Sequence, residues 1–397
     1  MRETFQGVQS YTKFLSLCFT SLLLLKLYFF IPSQKSEYSV IYSMFNDLFT
    51  GLKKLDINFE VFEINIKGND AKNPYFNSPS LMLNELMQFI IKNKDGDSLF
   101  ITIDDFSVMK ALYRLPRTIN VLIWVNYFKG HAFLFKKYRD IEKEHEISAI
   151  EWLKWKLAAY IPQSLALLIS RKYRGVLSNS FVLAQSIWSA LLTERVYSIY
   201  VKGVLYLPID SNMYIERESK KRSGILVFMG NHIETKLKSL FETIKTLERV
   251  EQKFSIDYFG SQTTGQKFMK KYGIDMNYIG SVNREELLLE YASHIIFISP
   301  IYNGNFEMAP IESLLSGTPV ISYLQPFAEI SGFTDMIANI NNLTEIEIKA
   351  RIWIRSDGVD MTPVKEQIAK NMDKDVVAKK LLEYSEMAIT MKNSESV

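Results

Sequence analysis

One feature constrains this chain more than any other: apolar runs of strand length alternate with segments of helical period over almost its whole length. A strand that is apolar at every position must be buried on both faces, and such strands belong to parallel sheets covered by helices. Strands are expected over 26–31 (KLYFFI), 59–64, 98–103 and 119–125, with helices over 39–54, 81–93 and 106–113. The stretch 134–175 is longer and richer in charge and aromatics, and 176–178 and 204–208 read as the last strands of this half. Residues 210–223 (DSNMYIERESKKRS) are then polar and strongly charged, which marks a domain boundary. After them the rhythm restarts. Strands over 225–229, 255–259, 277–279, 295–298 and 319–323 alternate with helices over 236–250, 264–271, 284–291 and 309–315, the pattern of a doubly wound sheet. Residues 364–391 read as helical and amphipathic.

The length of 397 residues admits two or three domains. The expected fold class is α/β, with a Rossmann-like domain over 26–209, a linker over 210–223 and a second Rossmann-like domain over 224–375. An apolar extension over 1–25 precedes them, and a helix and tail over 376–397 follow. Two parallel sheets joined by one linker place a cleft between their C-terminal strand ends, where ligands of such sheets bind. The apolar run 14–31 (FLSLCFTSLLLLKLYFFI) leaves three readings open. It is close to the roughly 20 residues that span a bilayer as a helix, so a signal anchor fits. A signal peptide fits less well, because no small-x-small cleavage site follows. A buried first strand ending at Pro32, with an apolar extension ahead of it, is favoured.

Composition excludes several classes. The net charge of +3 gives no ground for a nucleic-acid partner. The single cysteine, Cys18, rules out an intramolecular disulfide framework and a cysteine-rich metal site. It is compatible with a reducing compartment, so the expected location is cytoplasmic, including the inner face of the membrane. His131, His145, His232 and His294 are scattered without the spacing of a metal-binding helix, and no GxGxxG follows any expected strand.

The most informative segment is 303–321, NGNFEMAPIESLLSGTPVI. A loop over 304–309 leaves an apolar strand, Pro310 suits the first turn of a helix, and Ile311, Leu314 and Leu315 form its buried stripe. Glu312 is placed in that first turn. Gly317 ends the helix and Pro319 precedes a new strand. A helix N-terminus is a natural seat for a diphosphate, and Glu312 beside it can accept hydrogen bonds from ribose hydroxyls. Taken alone, Glu312 would serve equally well as a complement to the helix dipole. The fixed order of loop, Pro, Glu and Gly-x-Pro favours the binding role.

This segment resembles the signature of family 4 glycosyltransferases, retaining enzymes of the GT-B fold. Phe306, Glu312, Gly317, Pro319 and Val320 match it, while Gly304 stands where the family has the first Glu of a pair and Glu307 where it has a Gly. The resemblance implies that Glu312 grips the donor ribose, that the backbone of Gly304, Phe306, Met308 and Ala309 lies along the diphosphate, and that Glu307 can take the catalytic place of the missing Glu. A second segment, 225–236 (ILVFMGNHIETK), is similar to the family's diphosphate loop: Gly230 and Lys236 match, and Asn231 replaces an Arg. Lys236 aimed at a leaving diphosphate would stabilise its developing charge. In 277–291 (NYIGSVNREELLLEY), Gly280 and Ser281 would border the nucleobase. Strand 119–125 resembles one that ends in an active-site His; Asn126 holds that place, and nearby His131 is the candidate substitute.

The expected activity is transfer of a sugar, with retention, from a nucleotide-diphosphate sugar to a glycan, lipid-linked or protein acceptor. Lys236 and the helix dipole supply positive charge, so no metal and no separate cofactor is expected. Trp152, Lys154, Trp155 and Lys156 in EWLKWKLAAY suit a membrane interface and point to peripheral membrane association, although a helix packed on its own domain explains them as well. The alternative is a degenerate GT-B module that binds a sugar nucleotide or glycan without transferring, motivated by Gly304, Asn231 and Asn126.

Overall fold

The computed structural model describes residues 25–32, 40–65, 80–104, 106–116, 119–125, 163–214, 222–230, 237–251, 254–300, 307–323, 327, 333–355 and 360–395. Two wholly parallel sheets organise them. The first has seven strands in the order β3-β2-β1-β4-β5-β6-β7. These are β1 Lys26–Pro32, β2 Phe59–Asn65, β3 Ser80–Met82, β4 Ser98–Ile103, β5 Val121–Val125, β6 Phe181–Ala184 and β7 Gly203–Val204. Helices α1 (Val40–Lys54), α2 (Leu83–Asn93), α3 (Phe106–Leu112), α4 (Gln163–Ser178) and α5 (Ile187–Tyr197) accompany it. The second sheet has six strands in the order β10-β9-β8-β11-β12-β13. They are β8 Ile225–Met229, β9 Ile256–Gly260, β10 Asn277–Tyr278, β11 Ile296–Ile298, β12 Val320–Ser322 and β13 Ile337–Asn339. Its helices are α6 (Leu237–Val250), α7 (Gln262–Tyr272), α8 (Arg284–Ser293), α9 (Met308–Leu315), α10 (Phe333–Met336) and α11 (Leu343–Arg355). Two further helices close the chain, α12 (Thr362–Met372) and α13 (Lys374–Glu395).

The run KLYFFIP is a strand because both its faces are buried. Leu27, Phe29 and Ile31 enter one core while Tyr28 and Phe30 enter the other, the two-residue period of a pleated strand. Phe29 meets Phe45, Phe49 and Phe59 edge-on, with ring centroids 4.9–6.2 Å apart. On the opposite face Tyr28 and Phe30 stack on Phe100. β1 therefore sits inside its sheet, between β2 and β4, as the strand reading of this segment requires. Among the described residues no helix is long and apolar enough to cross a membrane.

Three expectations need correction. Residues 176–178 are the last turn of α4, not a strand, because Tyr173, Val176 and Leu177 recur at helical spacing on the buried face. The strand follows at Phe181–Ala184, four fully buried residues. Of 204–208 only Val204 belongs to the sheet. The final helical stretch is broken at Asp373, where the chain forms a parallel bridge with Ile209.

That bridge lies where the chain passes between the two sheets. The first passage leaves β7, and the second connects α12 to α13, which lies along α1. Ile209 N–H donates to Met372 O and Lys374 N–H to Ile209 O, each at 2.9 Å. The buried Lys374 ammonium pairs with Asp210, Ser211 Oγ donates to Asp373 Oδ2 at 2.5 Å, and Lys54 pairs with Asp375 at 2.8 Å. Burial alone would raise the Asp210 pKa, but Lys374 outweighs it and holds the carboxyl below its ordinary range. The two passages are thus fastened side by side.

At the cleft end of β9, Gly260 has φ of +96°, and a Cβ there would lie 2.5 Å from Met229 O. Positive φ and contact with backbone both oppose a side chain, at a cost of about 1–3 kcal/mol for the conformation alone. Gly260→Ala is expected to lose at least that much stability in urea unfolding. A wild-type midpoint would contradict the backbone placement at this edge.

Candidate functional site

The order of the second sheet reverses between β8 and β11, so its binding crevice lies beyond Met229 and Ile298. Gly230 follows β8 directly, and Ser299 follows β11. Ser299 Oγ donates to Glu307 Oε2 at 3.2 Å, which ties the end of β11 to the residue that precedes α9. Glu307 is the N-cap of α9, with φ of −84° and ψ of 138°. Pro310 falls at the third helical position, where its missing N–H costs nothing because the first N–H groups of a helix lack intrahelical partners. Ile311, Leu314 and Leu315 pack into the core. Gly317, at φ of +84°, reverses the chain after the helix. Because α9 begins at Met308, Glu312 lies in its second turn rather than the first. It is therefore no simple complement to the dipole.

What surrounds Glu312 is more specific. Its residue surface is 9% exposed. Arg284 Nε donates to Glu312 Oε1 at 3.2 Å, and Tyr214 Oη donates to the same oxygen at 3.4 Å. Arg284 also reaches the other sheet's domain. Its Nη1 donates to Ser43 Oγ at 2.7 Å and to Asp47 Oδ2 at 3.1 Å, while Nη2 donates to Asp47 Oδ2 at 3.2 Å and to Tyr214 Oη at 3.3 Å. A guanidinium carries five N–H donors, and these contacts use one for each. Both ends of this network are on well-packed helices: Asp47 on α1 beside Phe45 and Leu48, and Arg284 at the start of α8, whose Asn283–Glu286 capping box fixes its first turn.

The electrostatics follow from two carboxylates sharing one cation. Burial pushes the Glu312 pKa up, Arg284 pulls it down and Asp47 pushes it up again; the result is raised. Burial also raises Asp47, against the pull of Arg284. Burial works against the Arg284 charge, but Tyr214, Glu312 and Asp47 outweigh it and raise its pKa. Tyr214 is raised by burial and then by Glu312, so it remains a phenol and a donor. Beneath them Tyr291, fully buried and edge-on to Phe297 at 4.9 Å, has a hydroxyl without a hydrogen-bond partner among the described residues. Burial, Glu312, Tyr214 and Glu307 all raise its pKa.

Of the residues singled out from the sequence, Gly230, Glu307, Met308, Ala309 and Glu312 gather at this crevice. Gly280 and Ser281 lie in the turn between β10 and α8, four and three residues ahead of Arg284, and Gly280 has φ of +91°. Met308 is buried and Ala309 partly so. Lys236, Asn231, His131, Gly304 and Phe306 lie outside the described residues, as do Asn126 and the stretch holding Trp152 and Trp155.

The sequence matches no protein-family profile and no curated protein. Solved structures match over nearly the whole chain. Sucrose-phosphate synthase from Thermosynechococcus elongatus is 12% identical, with a TM-score of 0.63, covering 92% of this chain and 100% of its own. S. aureus TarM, in complex with fondaparinux, alpha-GlcNAc-glycerol and UDP, is 9% identical, with a TM-score of 0.61, covering 91% and 99%. The lipopolysaccharide outer core galactosyltransferase WaaB is 13% identical, with a TM-score of 0.58, covering 93% and 100%. The chain has the GT-B fold. In GT-B terms, β1–β7 and β8–β13 form the two Rossmann-like sheets, and the Arg284 network runs between helices that accompany them.

Sequence reasoning did not single out Arg284, Asp47 or Tyr214. A signal was present for two of them. A cation at the first position of a helix opposes the dipole, so Arg284 must be held there by something else. An acid within the apolar stripe of Met44, Phe45 and Leu48 needs a buried partner. Tyr214 carried no such mark.

Proposed function

We propose that this chain is a glycosyltransferase that moves a sugar from a nucleotide-diphosphate sugar to an acceptor held mainly by the 26–209 domain. The observation that carries the proposal is the Glu312 carboxylate. It lies at the switch point of the second GT-B sheet with Oε1 held by Arg284 and Tyr214, while Oε2 takes no hydrogen bond among the described residues. A carboxylate held by one oxygen and free at the other suits a pair of ribose hydroxyls. Around it, Gly230, Asn231, Lys236 and the backbone of Gly304, Phe306, Met308 and Ala309 would hold the diphosphate, and Gly280 and Ser281 would border the nucleobase. Glu307 stands one residue before α9, where a group can approach the transferred sugar. Lys236 would stabilise the leaving diphosphate without a metal, and His131 would serve from the acceptor side. Retention of configuration follows from the family 4 resemblance of 303–321.

The acceptor class we propose is a glycan or lipid-linked intermediate, with peripheral attachment to an anionic membrane. Support comes from the outer layer of the first domain. In sequence, 106–116 and 163–204 hold seven basic residues, Lys110, Arg114, Arg171, Lys172, Arg174, Arg195 and Lys202, against a single acid, Glu194. Tyr113, Leu191 and Tyr200 are exposed among them.

Release of nucleoside diphosphate from a panel of UDP-, GDP- and ADP-sugars tests the reading, with decanted membrane lipids and oligosaccharides offered as acceptors. Turnover with one donor, lost in Lys236→Ala, is expected. Donor binding without any release, hydrolytic or acceptor-dependent, would overturn transfer in favour of a binding module.

A further inference from the structure

The two ends of the Arg284 network lie on different domains. Ser43 and Asp47 belong to α1, against the first sheet, and Glu312 belongs to α9, against the second. Tyr214 lies on the passage between the sheets and bonds both Arg284 and Glu312. Asp210, beside the fastened passages, lies close enough to Asp47 to act on its charge. We infer that Arg284 is a positioning residue through which Asp47 and Ser43 of the acceptor-side domain set how the Glu312 carboxylate is presented to a sugar nucleotide. The inference rests on Glu312 being the donor grip and adds to it a control exerted from the other domain.

Two carboxylates share the charge of one guanidinium. Arg284 gives Nε to Glu312 and two N–H groups to Asp47, so each carboxylate has only part of the guanidinium. With both acids ionised the buried cluster carries one excess negative charge. Removing one acid gives the guanidinium wholly to the other. Removing both leaves a buried cation with no counter-charge, which is the costlier state. The two carboxylates are therefore coupled although they lie on different helices of different domains. A geometric consequence accompanies this. A shift of α1 relative to α9 has to stretch the contacts of 2.7–3.2 Å that run through Arg284, so the orientation of Glu312 depends on how close the domains stand.

Among the described residues, the charged and titratable groups facing Glu312 are Arg284 and Tyr291 from α8, Asp47 from α1 and Tyr214 from the passage; Asp210 faces Asp47. Of these, Asp47 is the one whose neutralisation leaves Glu312 with an undivided cation. Asp47→Asn keeps the shape and removes the charge. It is expected to move the acid limb of sugar-nucleotide binding to lower pH, and to change affinity above that limb because Arg284 is then held by Glu312 without a competing carboxylate.

A double-mutant cycle reads the same coupling with no ligand present. The full-length protein, Asp47→Asn, Glu312→Gln and the double variant are unfolded thermally. The double variant is expected to lose more midpoint temperature than the two single losses together. Should Asp47→Asn fail to fold, Asp47→Ser replaces it in the cycle, since it removes the same charge and leaves a hydroxyl for Arg284. Additive losses, or an acid limb unmoved in Asp47→Asn, would overturn the inference. Wild-type titration with UDP-, GDP- and ADP-sugars is read separately. Absence of binding there defeats the donor reading, and the ligand-free cycle still decides whether Asp47 and Glu312 share Arg284.

Discussion

Arg284→Met should lower folding stability by about 3–5 kcal/mol, the usual cost of removing one partner from a buried ion pair. Methionine fills much of the same space, so the loss is electrostatic. Asp47 and Glu312, with side chains 6% and 11% exposed, would be left facing each other without a cation. Ser43 and Tyr214 would lose their partner too. Arg284→Lys should recover only part of the loss, because an ammonium cannot reproduce a planar fork that reaches four side chains. Urea unfolding followed by circular dichroism measures both. A loss below about 1 kcal/mol, the level of an exposed pair, would show that the cluster is open to water and would remove the basis for treating it as a unit.

Glu312→Gln carries the second large effect, on donor binding. Glutamine keeps an oxygen for Arg284 and Tyr214, so the fold should survive. The charge-assisted acceptor for ribose hydroxyls is lost, and such bonds are worth about 1.5–3 kcal/mol. Affinity for the sugar nucleotide should therefore fall about tenfold to a hundredfold. The same group predicts a pH dependence. The folded-state pKa of Glu312 is raised, so donor affinity should weaken as pH falls through that raised value and be full above it. Stability runs the other way. Between the unfolded and folded pKa values the folded state holds the proton that the unfolded state has released, so raising pH across that window destabilises the protein. Asp47, also raised, acts in the same direction. Acid-limited binding together with acid-favoured stability is a pairing that an ordinary surface carboxylate would not give.

Most of the fold was legible because both sheets are parallel and buried. Runs such as KLYFFIP and SLFITI have one physical use, and helical segments must lie between them. The errors share a cause. GVLSNSFVLA holds two apolar groups, and only tertiary packing decides that the first closes α4 and the second is β6. The break at Asp373 depends on Ile209, far away in sequence. At the site, Glu312 was legible because loop, Pro, Glu and Gly-x-Pro come in a local order. Its partners were not, because Asp47, Tyr214 and Arg284 come from three distant segments brought together only when the two domains face each other.

Calorimetric titration of the full-length protein with UDP-, GDP- and ADP-sugars tests the central claim most directly, that this GT-B cleft holds a sugar nucleotide on Glu312. The account predicts one-to-one binding of one nucleotide class, weakened in Glu312→Gln and restored in neither acid nor salt. Binding of equal strength in wild type and Glu312→Gln, or no heat from any donor at millimolar concentration, would contradict it.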